Sequence, residues 1–151
     1  SAPLARALGW AGAAAALLLA ALWVAGRLGA QRARPFARAW RSVRALRGRD
    51  DAEALELAFR ALHHACNESA GQTLFASTLP DFIAAHPAFA DQAPALEAAF
   101  AASRACFYGL PPHPRYTQPD ALLPLLAALR DRERLGARRR SVNPSAVVEA
   151  A

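Results

Sequence analysis

Hydrophobic and polar positions change their pattern three times along the chain. Residues 7–26 (ALGWAGAAAALLLAALWVAG) carry no charge over twenty positions. A helix of that length measures about 30 Å, the thickness of a bilayer's hydrocarbon core. Trp10 and Trp23 stand near its two ends, where aromatic side chains anchor at a membrane interface. Nine alanines dilute the run, but five Leu and one Val still favour insertion by about 2–3 kcal/mol. The pattern predicts a transmembrane helix over 7–26, with residues 1–6 as the outward-facing stub of a larger chain.

From 27 to 49 the period becomes helical and amphipathic. Phe36, Trp40, Val43 and Leu46 recur on one face, and Arg38, Arg41, Arg44 and Arg47 cover the rest. This predicts a basic juxtamembrane helix with two competing uses. It lies on anionic lipid headgroups, each Arg contributing on the order of 1 kcal/mol, or it packs its aromatics on the next helix while its charges set topology.

A third pattern fills 50–135. Gly48 fits a left-handed helix end, and Asp50 with Glu53 fits a capping box. Leu55, Phe59, Leu62 and Cys66 form a core stripe that should stop between 67 and 71. Thr78 suits the N-cap of a short helix ended by Pro87. Asp91 suits the next cap, with Pro94 tolerated in the first turn. Leu96, Phe100, Ser103 and Phe107 form a second stripe closed by Gly109. Pro111, Pro112, Pro114 and Pro119 mark an extended loop, and Asp120 suits the cap of a last helix bearing Leu122, Leu125, Leu126 and Leu129. The tail over 136–151 reads as disordered. The expected fold is all-α: one N-terminal transmembrane helix, a basic juxtamembrane helix and a small orthogonal bundle.

Charge changes this picture by its distribution. The chain has net charge +6 and all eighteen basic residues are Arg. Eight Arg and no acid lie between Arg27 and Arg49, whereas 50–135 holds eleven acids against six Arg. The basicity is thus a collar beside the apolar run, and the domain behind it is acidic, which argues against a nucleic-acid partner. The collar places the C-terminal side in the cytoplasm and the N-terminus outside, in the periplasm of a bacterial inner membrane. A cleaved signal peptide is the competing reading of the apolar run; eight Arg directly after it oppose export, and no convincing A-x-A site follows the run. The expected membrane-interface residues are Trp10, Trp23, Arg27, Arg32, Arg34, Arg38, Arg41 and Arg44.

Catalytic signatures are scarce. No Gly-rich phosphate loop, nucleophile elbow or Cys-x-x-Cys pair is present. His63 and Cys66, three apart on a helix, are the best candidate metal pair, with His64, His86, Cys106 or His113 nearby in kind. Cys66 instead fits the apolar stripe as a small hydrophobe. Asp50, Asp51, Glu53 and Glu56 start a helix, where carboxylates suit the macrodipole without any ligand. The loop carrying His113, Arg115 and Tyr116 reads as a connector or a peptide-like docking element. No enzyme activity and no cofactor are expected.

The order of single span, Arg-rich collar and then AFRALHHACNESAGQTLF, LPDFIAAHPAF and FAASRACFYG resembles the C-terminal part of the MxaA-type accessory proteins of methanol dehydrogenase. In layout it is also similar to membrane proteins of the Bat aerotolerance group. The likeness covers about residues 7–135 and is most specific over 57–108. It implies a membrane accessory protein that assists calcium insertion into a periplasmic dehydrogenase through protein contacts. The implied partners are a MoxR-type AAA+ ATPase and von Willebrand-type membrane proteins. It brings no catalytic motif, so no catalytic residue carries over. A Bat-type scaffold unrelated to methanol oxidation is the alternative, and a Cys/His enzyme on Cys66 and His63 the third.

Overall fold

The computed structural model describes residues 2–32 and 34–142. These residues form six α-helices and no strand: α1 (Ala2–Arg32), α2 (Pro35–Arg44), α3 (Ala52–Ala70), α4 (Leu79–Ala85), α5 (Ala93–Phe107) and α6 (Leu123–Val142). Two 3₁₀ segments, Pro87–Gln92 and Pro119–Leu122, precede α5 and α6. The helices divide into two compact units, α1 alone and the chain from Arg34 onward.

Helix α1 is built from the strongest helix formers, Ala and Leu. Its stretch Gly9–Gly29 is long and apolar enough to cross a membrane, and none of it is buried. Leu17, Leu18, Leu19, Leu22 and Val24 all stand exposed. The stretch reaches three residues past the expected end at Gly26. It takes in Arg27, whose guanidinium lies 4.5 Å from the centroid of the Trp23 ring and so covers its charge with an aromatic face.

The second unit is a bundle with one core. Phe36, Ala39 and Val43 of α2 are buried together with Phe59, Leu62 and Cys66 of α3. Leu96 and Phe100 of α5 and Leu125, Leu126 and Leu129 of α6 complete that cluster. Helix α2 packs against both α3 and α6. Its Phe36 ring meets Phe89 edge-on at 5.3 Å between centroids.

The sequence pattern sets a collar at 27–49 apart from a bundle at 50–135, whereas the chain from Arg34 onward clusters as one compact unit. The Arg-rich segment is split near residue 34, and its second half supplies a central helix of the bundle. The reason is energetic. Completely burying Phe36 and Val43 stabilises by about 1.5–3 kcal/mol each, so the apolar face of α2 goes to the core and leaves its arginines, Ser42 and part of Trp40 for any other surface.

Local stops and starts follow the sequence with a few shifts. Asp51, not Asp50, caps α3: its carboxylate accepts from the Ala54 N–H at 3.2 Å. Gly71 ends α3 with φ +69°, a left-handed conformation that suits glycine. Asn67 Oδ1 then accepts from Leu74 N–H at 2.8 Å, which pins the loop and buries Leu74. Thr78 precedes α4 but makes no cap bond; its hydroxyl closes the preceding turn onto Phe75. Asp91 does not cap α5 either, because its carboxylate pairs with Arg132 at 2.5 Å. Asp120 lies in the 3₁₀ segment and not at the cap of α6.

Phe107 ends its stripe exposed, under the Arg60 guanidinium at 5.5 Å. It is the last residue of α5 and lies beyond the core. The tail expected to be disordered from 136 continues as helix to Val142, since Ala, Arg and Leu favour helix without a core to face. Residues 143–151 lie outside the described residues.

Candidate functional site

The polar face of α2 and the surface next to it concentrate the bundle's unusual features. Pro35 at the first position starts α2, where a missing N–H costs nothing, but Arg34 at the N-cap offers no side-chain acceptor. The acceptor comes from α6. Glu133 Oε1 receives the Phe36 N–H at 3.4 Å, and the Ala37 N–H also points to this carboxylate. The other oxygen, Oε2, is buried with no partner. Burial pushes the Glu133 carboxyl above the usual carboxylate range, against the two backbone N–H bonds and the nearby charges of Arg34 and Arg38.

One turn further along, Arg38 pairs with Glu68 of α3. Arg41, Arg44 and Arg47 are exposed and have no carboxylate within ion-pair distance among the described residues. Trp40 lies between two guanidinium groups, Arg44 at 4.9 Å and Arg130 at 4.4 Å from its ring centroid. Beside it a groove of about 500 Å³ is lined by Trp40, Arg44, Arg47, Asp120, Leu123 and Pro124. One oxygen of Asp120 is buried without a hydrogen-bond partner. The lining combines two cations, an aromatic ring, apolar side chains and a single acid.

The histidines and cysteines do not converge. His63 Nε2 is hydrogen-bonded to Ser103 Oγ at 2.6 Å, and its ring lies on Phe100 at 4.6 Å between centroids. Burial lowers its pKa. His64 faces Glu68 at 2.8 Å, His86 Nδ1 donates to Phe82 O at 3.0 Å, and His113 Nδ1 accepts from Arg115 N–H at 3.2 Å. Cys66 is fully buried, and burial pushes its thiol up to about 12. Cys106 is also raised, by burial first and then by Glu56. Among the described residues no three His, Cys, Asp or Glu side chains gather as metal ligands would.

The expected membrane-interface residues therefore separate into two groups. Trp10, Trp23 and Arg27 belong to α1, where both tryptophans are exposed. Arg34, Arg38, Arg41 and Arg44 belong to the bundle. The Arg32 side chain lies outside the described residues. Sequence reasoning missed Glu133, Asp120 and Arg130 as neighbours of α2. No local signal marks them, because they lie some 80 to 97 residues away in the chain and only the packing of α2 on α6 brings them in. Arg47 was visible as the next i, i+3 step after Arg44.

Comparisons with family models, with curated proteins and with solved structures find no match for this chain.

Proposed function

We propose that the chain is a single-span membrane protein, with α1 as the anchor and the bundle as a docking module that works through protein contacts and without chemistry of its own. The observation that carries this reading is the contrast between the units. The apolar stretch Gly9–Gly29 buries nothing, while the chain from Arg34 onward closes a core of its own. An apolar face of that size left in water is strongly unfavourable, and lipid is the solvent that suits it. The Arg distribution supports an N-out, C-in orientation in a bacterial inner membrane. The sequence resemblance supports the finer reading, an accessory protein of methanol dehydrogenase maturation whose cytoplasmic bundle engages a MoxR-type AAA+ ATPase.

Two measurements test it. Alkaline carbonate should leave the full-length chain in the membrane pellet, and release into the supernatant refutes the anchor. Affinity capture of the tagged full chain from native membranes should recover a MoxR-type ATPase, and recovery should be lost when the bundle is replaced by an unrelated helical domain. Retention in the pellet with no ATPase recovered refutes the docking role while leaving the anchor intact.

A further inference from the structure

We propose that the groove beside Trp40 is a binding site for the headgroup of a phosphodiester lipid that carries hydroxyl groups, of the phosphatidylglycerol class. The inference rests on the reading of α1 as a membrane anchor and adds a specific lipid contact made by the bundle.

Three features of the groove carry it. First, Arg44 and Arg47 both line the groove, and neither has a carboxylate within ion-pair distance among the described residues. Two guanidinium groups that line one groove and form no ion pair among the described residues suit a phosphate oxyanion. Second, the floor is apolar, made by Leu123 and Pro124, and the Trp40 indole N–H donates to no acceptor among the described residues. An aromatic ring with an apolar body and a free donor is the side chain favoured where hydrocarbon meets headgroup. A free phosphate has no use for such a floor, whereas the glycerol and first methylenes of a lipid do.

Third, Asp120 lines the same groove. Its carboxylate repels a dianionic phosphate monoester and accepts a hydrogen bond from a hydroxyl. An ammonium headgroup meets the Asp120 carboxylate only at the cost of facing Arg44 and Arg47 as well. A singly charged phosphodiester with neutral hydroxyl donors satisfies both walls. Trp40 follows the apolar stretch by about eleven residues of chain, so lipid is presented to the groove at a high effective concentration.

The test uses the full chain in a non-ionic detergent with W10F/W23F, which leaves Trp40 as the sole tryptophan. Short-chain phosphatidylglycerol should change Trp40 emission saturably. Short-chain phosphatidylcholine and phosphatidylmethanol, an anionic phosphodiester without a hydroxyl, should bind severalfold more weakly, and inorganic phosphate should give no response. R44Q/R47Q should weaken phosphatidylglycerol binding at least about tenfold, counted independently as bound lipid by native mass spectrometry. Both arginines are exposed, and an unchanged far-UV spectrum confirms that the double variant folds. Equal binding of phosphatidylcholine assigns the response to the tails and overturns the proposal. An equal response to inorganic phosphate makes the groove a free-anion site and overturns it too, as does undiminished affinity in R44Q/R47Q. Parity with phosphatidylmethanol overturns the role of Asp120. Carbonate extraction of the same chain separates these outcomes from failure of the anchor reading.

Discussion

Glu133 offers the sharpest test of how the bundle is held together, because it is at once a helix cap and an incompletely satisfied buried acid. Its Oε1 is the acceptor for the first free amides of α2. Phe36 is completely buried, so when the carboxylate is removed water does not readily replace it. Glu133→Ala should therefore cost about 1–3 kcal/mol, the penalty of an unsatisfied buried donor, which includes the usual value of a lost cap. For a bundle of roughly 110 residues that lowers Tm by about 4–12 °C. Glu133→Gln keeps the acceptor and removes the charge. Since burial raises the pKa of Glu133 in the folded chain, the folded state holds its proton more tightly than the unfolded state. Stability at this site is then full below the ordinary glutamate pKa and declines as pH rises through the raised one. At pH 7 Glu133→Gln should be more stable than wild type, and near pH 4 the two should coincide. Urea unfolding of the full chain in detergent, followed by Trp40 emission in the W10F/W23F background, measures both effects. A Glu133→Ala protein that unfolds with the wild-type midpoint refutes the capping argument. A Glu133→Gln protein that is less stable than wild type at pH 7 refutes the assignment of a desolvated charge.

Four other residues give further checks. His63 is held neutral by burial, so its contribution falls as pH drops below about 6.5, the opposite sign to Glu133; His63→Gln should flatten that part of the stability profile, and an unchanged profile refutes it. Ser103→Ala removes the partner of His63 Nε2 and should cost about 1–2 kcal/mol in urea unfolding, with no loss indicating that the bond contributes nothing. Cys66, with its thiol at about 12, should resist an aromatic disulfide reagent at pH 8 until the bundle unfolds, whereas the less buried Cys106 reacts in the native state; equal labelling rates contradict the burial. Gly71→Ala meets open space but keeps φ +69°, so it should lose on the order of 1 kcal/mol to backbone strain alone, and a neutral result refutes that assignment.

The parts of this fold that the sequence made legible are those governed by neighbours within one or two turns. Phe59, Leu62 and Cys66, and then Leu122, Leu125, Leu126 and Leu129, announce their shared face by helical period and are all buried. Gly71 and Gly109 mark left-handed turns. What was illegible depends on distant chain. Asp91 and Asp120 both satisfy the local rule for a cap, yet Asp91 is taken by Arg132, 41 residues later, and Asp120 joins a groove with Arg44 and Arg47. A capping bond is worth only about 1 kcal/mol, so a charged partner brought close by tertiary packing readily overrides it.

The same competition explains why the structure shares the basic segment between α1 and the bundle. Between Arg27 and Arg49 the charge pattern is uniform and suggests one element with one purpose. The apolar pattern beneath it is not uniform. Before residue 34 it continues the lipid-compatible helix α1, and from Phe36 onward it has the spacing of a core face. Where the two patterns disagree, the apolar one decides the structure. Burying Phe36, Ala39 and Val43 outweighs the roughly 1 kcal/mol or less that each exposed arginine gains from a surface arrangement. The arginines are then free to be used by whatever the fold places next to them. Arg38 goes to Glu68, while Arg44 and Arg130 clasp Trp40. Arg44 and Arg47 are left as paired cations over an apolar floor. A charge run that reads as a topology signal in the sequence also lines a groove of the bundle.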